Sequence, residues 1–168
     1  MRRHPIDADE PGGSGMYKKI LVAVDGSHAS RLALLAVIDL AKGSNAEVKV
    51  IYVVDDSEAL LEVAFINRED LLRNMKAYGQ DILSGCGVLL KAAGVRHSVE
   101  LIEKPVAKGR IAQTILSRAA TCNADLIALG THGRRGVARV VMGSVAQGVV
   151  SQSIKPVLLV RSEPEDET

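Results

Sequence analysis

Leu126-Ile-Ala-Leu-Gly-Thr-His-Gly-Arg-Arg-Gly-Val-Ala-Arg-Val-Val-Met-Gly-Ser144 is the stretch that decides how this chain folds. Leu126–Leu129 is a continuous apolar run, the length and character of a strand buried on both faces. Gly130 ends it, and from Ser144 to about Ser153 the pattern reads as a helix. Buried strand, glycine-rich loop and helix in that order are the start of a parallel crossover.

Working outward, the same alternation recurs. Ile20–Val24 is an apolar run ending in Asp25-Gly26-Ser27, and Ser27 is a suitable cap for the helix that follows. There Ala29, Ala33, Ala36, Val37 and Leu40 are expected on one face, with Gly43 as the stop. Val48–Val54 is a second strand running into Asp55-Asp56-Ser57. Residues 57–67 leave two readings open, a short helix or an excursion. Leu71 to about Ala93 reads as a long helix, although Gly79, Gly85 and Gly87 each cost about 1 kcal/mol relative to Ala; Gly94 should end it. Ser98–Ile102 alternates like an exposed edge strand, Ile111, Ile115 and Ala119 form a helical stripe, and Pro156 precedes a last strand, Val157–Val160. Strands separated by helical crossovers imply an α/β fold, an open parallel sheet with helices on both faces. Ligands of such sheets bind beyond the carboxyl ends of the central strands, where the strand order reverses. Asp25-Gly26-Ser27, Val54-Asp55-Asp56 and the Gly130 loop are therefore the expected site.

Composition narrows the function. At 168 residues, with 47% apolar but only 2% aromatic side chains, the chain is expected to build a single, aliphatic core. We expect a tail over 1–15, a folded domain over 16–162 and an acidic tail over 163–168. A net charge of +1 and few aromatics argue against nucleic acid and anionic membranes as partners. Cys86 and Cys122 do not make a disulfide framework, and no signal peptide or membrane-length apolar run is seen, so a cytoplasmic protein is expected.

The glycine loop suggests chemistry. Gly130 and Gly133 permit a tight turn and close approach of a ligand. At Gly143-Ser144 a new helix presents unpaired N–H groups and the positive end of its dipole, an anion site. The Ser144 hydroxyl either caps its own helix or donates to a phosphate oxygen, and Arg134, Arg135 and Arg139 offset phosphate charge. One such glycine alone is an ordinary turn residue. Four of them with a serine, between a strand and a helix, favour phosphate binding. The loop is not a G-x-x-x-x-G-K-[ST] motif, and Gly85-x-Gly87 lacks the third glycine of a dinucleotide fingerprint.

The spacing G-x2-G-x9-G-S (Gly130, Gly133, Gly143, Ser144) resembles the ATP-binding signature of the universal stress protein family. So do the opening Ile20-Leu-Val-Ala-Val-Asp25-Gly26-Ser27, with Ser30 and Ala33, and the ending Lys155-Pro156-Val157-Leu-Leu-Val160-Arg161; the resemblance spans about residues 16–161. It implies a five-stranded sheet in the order 3-2-1-4-5 with ATP, accompanied by Mg2+, across the strand ends. Asp25 and the backbone near Val53 would hold the adenosine end, and Gly130, Gly133, Gly143, Ser144 and Val145 the ribose and phosphates. Ala23, Gly26, Ser27, Leu129, His132 and Arg134 complete the expected cofactor-binding set. Tyr52 departs from the family, which often has His there. In that strand order Val157–Val160 is an apolar edge, and exposed apolar edges pair, so a homodimer through this strand is expected.

Other readings weigh less. Asp25 at a strand end suggests a phospho-acceptor, but it lacks the adjacent carboxylate of a receiver domain. His132 is a candidate acid or base, though its backbone is the more natural participant. His4, His28, His97 and the two cysteines show no ligand spacing, so neither a structural metal nor a catalytic residue is assigned; Asp55 and Asp56 are candidates only for the surroundings of a phosphate-held Mg2+. The expected function is a nucleotide-dependent regulatory module of the stress response. A slow ATPase or self-phosphorylating enzyme using Ser144 and a nucleotide-independent dimer are the alternatives.

Overall fold

The five apolar runs form five strands in the computed structural model, which describes residues 15–55, 67–107, 110–132 and 142–162. They are β1 (Lys19–Ala23), β2 (Glu47–Val53), β3 (His97–Ile102), β4 (Leu126–Gly130) and β5 (Val157–Val160). Between them lie α1 (His28–Ser44), α2 (Arg68–Ala92), α3 (Ile111–Thr121) and α4 (Ser144–Gln152). All strand pairs are parallel, in the order β3-β2-β1-β4-β5. This is the α/β architecture and strand order expected from the sequence.

Because side chains alternate across a strand, each buried strand feeds two cores. Ile20, Val22, Val48, Val50 and Ala128 join α1 and α2 in one cluster. Leu21, Ile51, Ile127 and Leu129 join α3 and α4 in the other. Burying each large aliphatic side chain stabilises the fold by about 1.5–3 kcal/mol, and with so few aromatics these residues carry almost all of that term. Among the described residues no helix is long and apolar enough to cross a membrane.

Helix boundaries follow local chemistry, with two corrections. Ser27 caps α1 as expected, its hydroxyl oxygen accepting from the Ser30 N–H at 3.1 Å. Gly43 does not end α1. The helix runs to Ser44 and stops at Asn45, whose φ of 54° is left-handed, a conformation Asn tolerates better than most residues. Nor is Leu40 on the core face; it is 41% exposed, just past the margin of a stripe made by Ala33, Leu34, Val37, Ile38 and Ala41. At the end of α2, Gly94 adopts φ 69° and donates to the Lys91 carbonyl while Val95 donates to Leu90, both at 3.0 Å. These two bonds satisfy carbonyls the last turn would otherwise leave open. Gly79 has a packing reason: a Cβ there would come within 2.6 Å of the Tyr52 ring and 2.8 Å of Leu101, so its absence lets α2 lie directly on β2 and β3.

Cys86 is buried in α2, and that burial pushes its thiol above the ordinary range. The unfolded chain ionises this thiol first, so its contribution to stability is present below the usual thiol pKa and is lost as pH rises toward the folded value. Iodoacetamide at neutral pH is therefore expected to alkylate the half-buried Cys122 in the native protein and to reach Cys86 only on unfolding, read by mass spectrometry of the two peptides.

Candidate functional site

β1 leads into a helix on one side of the sheet and its neighbour β4 into a helix on the other, so the chain parts between their carboxyl ends. A cleft of about 480 Å3 opens there. Its floor is aliphatic: Ala23 of β1, Ile51 and Val53 of β2 and Leu129 of β4, walled by Ile111 and Ile115 of α3 and Val145 and Ala146 of α4. These residues all belong to the core on the α3/α4 side. The rim is polar, with Asp25, Asp55, Thr131, His132 and Ser144.

The turn after β1 is tied from several sides. Asp25 Oδ1 accepts the Ser27 N–H at 2.9 Å, and Gly26 between them has φ 84°, a conformation that favours glycine. The Ser27 hydroxyl donates to the His132 carbonyl at 3.3 Å, joining this turn to the exit of β4. Gly26 and Ser27 thus shape the turn without lining the cleft, whereas Asp25 and the buried Ser30 line it. At β2 the last hydrogen bond toward β1 runs from the Val24 N–H to the Ile51 carbonyl at 3.0 Å. Backbone groups two residues apart on a strand point to the same side, so Val53 directs its N–H and carbonyl toward β1, past the last rung of the ladder.

The glycine-rich loop needs two adjustments. Gly130 makes room for the protein itself: a Cβ there would lie 2.8 Å from the backbone of Ala29 and Ser30, so its absence lets β4 touch the start of α1. Nor does every amide of the loop remain open to a ligand. Thr131 donates to the Val160 carbonyl at 2.9 Å, and Gly143 to the Thr131 carbonyl at 2.8 Å. Among the described residues the first-turn N–H groups of α4, on Ser144, Val145 and Ala146, are donors that no helical carbonyl takes up. Gly143 is the N-cap, and among the described residues no side chain, the Ser144 hydroxyl included, makes a capping hydrogen bond to this helix.

His132 Nδ1 lies 3.0 Å from the Thr131 hydroxyl. Its Nε2 is buried and has no hydrogen-bond partner among the described residues, an arrangement that costs stability unless something else supplies a partner.

Ala23, Asp25, Val53, Leu129, Gly130, His132, Gly143, Ser144 and Val145 therefore line one cleft. Gly133 and Arg134, like Arg135, Arg139 and Asp56, lie outside the described residues. Sequence reasoning missed Ile51, Ile111, Ile115, Ser30 and Met142 as lining residues. Ile111 and Ile115 were legible as an apolar stripe, but periodicity does not say that the first turns of a helix overhang the strand ends. Among the described residues no three His, Cys, Asp or Glu side chains cluster as metal ligands do.

The universal stress protein family model matches residues 16–161. Universal stress protein MJ0531 of Methanocaldococcus jannaschii is 36% identical over 154 residues, covering 92% of this chain and 88% of that protein. Hypothetical protein MJ0577, whose structure was used to assign its biochemical function, superposes with a TM-score of 0.76 at 26% identity, over 88% of this chain and 98% of that one. A universal stress protein crystallised with cAMP (TM-score 0.61, 23% identity, 88% and 98% covered) has the same fold. So has one from Archaeoglobus fulgidus in complex with dAMP (TM-score 0.59, 22% identity, 86% and 98% covered). With a family match over nearly its whole length and that fold, the chain belongs to the universal stress protein family.

Proposed function

We propose that the cleft binds an adenine nucleotide, ATP with Mg2+, and that the chain acts as a nucleotide-dependent homodimeric module in the stress response. The observation that carries this is the aliphatic floor running up to the N-terminus of α4, whose N-cap is a glycine without a side chain to offer its amides. A purine needs apolar surfaces above and below and a donor–acceptor pair at its edge, which Ile111, Ile115, Val145 and the Val53 backbone supply. Asp25 at the rim is placed for ribose hydroxyls. The amides of Ser144, Val145 and Ala146, with the helix dipole behind them, suit phosphate oxygens. Mg2+ arrives on the phosphates, with Asp55 nearby as a group for its water shell. That two proteins of this fold take cAMP and dAMP is consistent with such a ligand.

The direct test is to denature the purified protein and identify the nucleotide released, then to titrate the emptied protein with ATP, AMP and cAMP. Binding of ATP, and more tightly than of the monophosphates, is expected. Absence of any adenine nucleotide, and no heat or signal at saturating ATP, would end the proposal.

The homodimer rests on β5. All four of its apolar residues are half-buried at a sheet edge, and Ile154 just before it is 96% exposed. Ile154→Asp is expected to weaken self-association about tenfold, the equivalent of about 1.4 kcal/mol and in line with burial of one isoleucine. Analytical ultracentrifugation reads this directly, and a parent chain sedimenting as a monomer would refute it.

A further inference from the structure

We propose that Tyr78 of α2 is a positioning residue for the base-and-ribose end of the cleft, acting through the Asp25-Gly26-Ser27 turn. The inference rests on the nucleotide reading above. Gly26 is left-handed, and the space where its Cβ would stand is filled from α2: Tyr78 Cζ would be 3.0 Å away and Ile82 Cδ1 3.2 Å, with the Tyr78 hydroxyl closer still. The turn is therefore braced against movement toward α2. Its other side is tied by Asp25 Oδ1 to the Ser27 N–H, and by the Ser27 hydroxyl to Ser30 and to the His132 carbonyl.

What brings Tyr78 to that spot is the register of α2 on the sheet. Gly79, the next residue, sits against the Tyr52 ring so closely that no other side chain fits. Tyr52 in turn lines the cleft and meets Tyr78 edge to face, with ring centroids 6.2 Å apart at 71°. One contact chain thus runs from Gly79 through Tyr52 and Tyr78 to Gly26 and so to Asp25. Tyr78 remains 39% exposed, more open than the core side chains around it. A large aromatic kept partly in solvent, with its tip filling the space beside a cleft turn, suits positioning as well as packing.

The consequence is selective. Asp25 and Val53 face the adenosine end, whereas the phosphate donors are on α4, which packs on the opposite face of the sheet from α2. Titration of the full chain with ATP, adenosine and inorganic tripolyphosphate separates the two ends. Tyr78→Ala is expected to weaken ATP and adenosine about tenfold (about 1.4 kcal/mol) and to leave tripolyphosphate unchanged. Tyr78→Phe, which keeps the ring and removes the hydroxyl nearest Gly26, should recover only part of the loss. If Tyr78→Ala does not fold, Tyr78→Leu removes the ring while keeping an apolar side chain on α2, and the same selectivity is expected of it. Equal losses for adenosine and tripolyphosphate would mean general loosening and overturn the proposal, as would unchanged adenosine affinity in the variant. Failure of the parent chain to bind ATP or adenosine at all would instead overturn the nucleotide reading, and this inference with it.

Discussion

Gly130→Val is expected to lower the thermal unfolding midpoint by roughly 6–12 °C. A Cβ at this position would stand 2.8 Å from the Ala29 carbonyl carbon, the Ala29 Cβ and the Ser30 nitrogen. Two of those neighbours are backbone, and they are not free to give way: the Ser30 N–H is held by the Ser27 hydroxyl, and that hydroxyl is held in turn by the His132 carbonyl. Overpacking of this kind costs about 1–3 kcal/mol, and for a domain of this size each kcal/mol moves the midpoint by roughly 2–4 °C. The upper end applies because the clash is with backbone at a helix start. Calorimetry on the pure protein measures it. An unshifted melt would mean that α1 slides outward without loss and that the β4–α1 contact contributes nothing. Nucleotide affinity should fall with the melt, because the displaced segment carries the turn that holds Asp25.

Loss of binding without loss of stability is expected for Ala23→Phe. Ala23 is half-buried, and it forms cleft floor at the end of β1. An aromatic ring there extends into the cleft, between Ile51 and Leu129, so it occupies ligand space and leaves the closed core as it is. ATP binding should drop at least about a hundredfold, equivalent to about 2.7 kcal/mol, while the unfolding midpoint stays near that of the parent. Titration calorimetry together with a thermal melt reads both quantities. Undiminished ATP binding in this variant would place the ligand elsewhere and leave the cleft without its proposed occupant. The pair of substitutions therefore separates a glycine that shapes the protein from an alanine that leaves room for a ligand, a distinction hidden when both are counted as site residues.

Much of this was legible in the residues because the signals are local. A run such as Ile20–Val24 or Leu126–Leu129, too short for a helix and ended by a turn glycine, reads as a strand buried on both faces, and the alternation with helical stripes leaves an open α/β sheet as the economical arrangement. Ser27 as a cap and Gly94 as a stop follow from chemistry within a few residues of each. Asn45 in place of Gly43 was not legible, since glycine and asparagine both tolerate left-handed backbone and these two stand only two positions apart.

The sequence by itself determined the parallel sheet, the aliphatic core and the glycine-rich loop between the fourth strand and its helix, since periodicity and turn chemistry act over a few neighbours. Only the tertiary structure decided what the glycines and amides are for. Gly130 clears α1, the Gly143 N–H closes on Thr131, and the cleft draws Ile51 from β2 and Ile111 and Ile115 from α3. Those assignments depend on which groups meet in the folded chain, and residues from 12 to 101 positions apart carry no local mark of meeting.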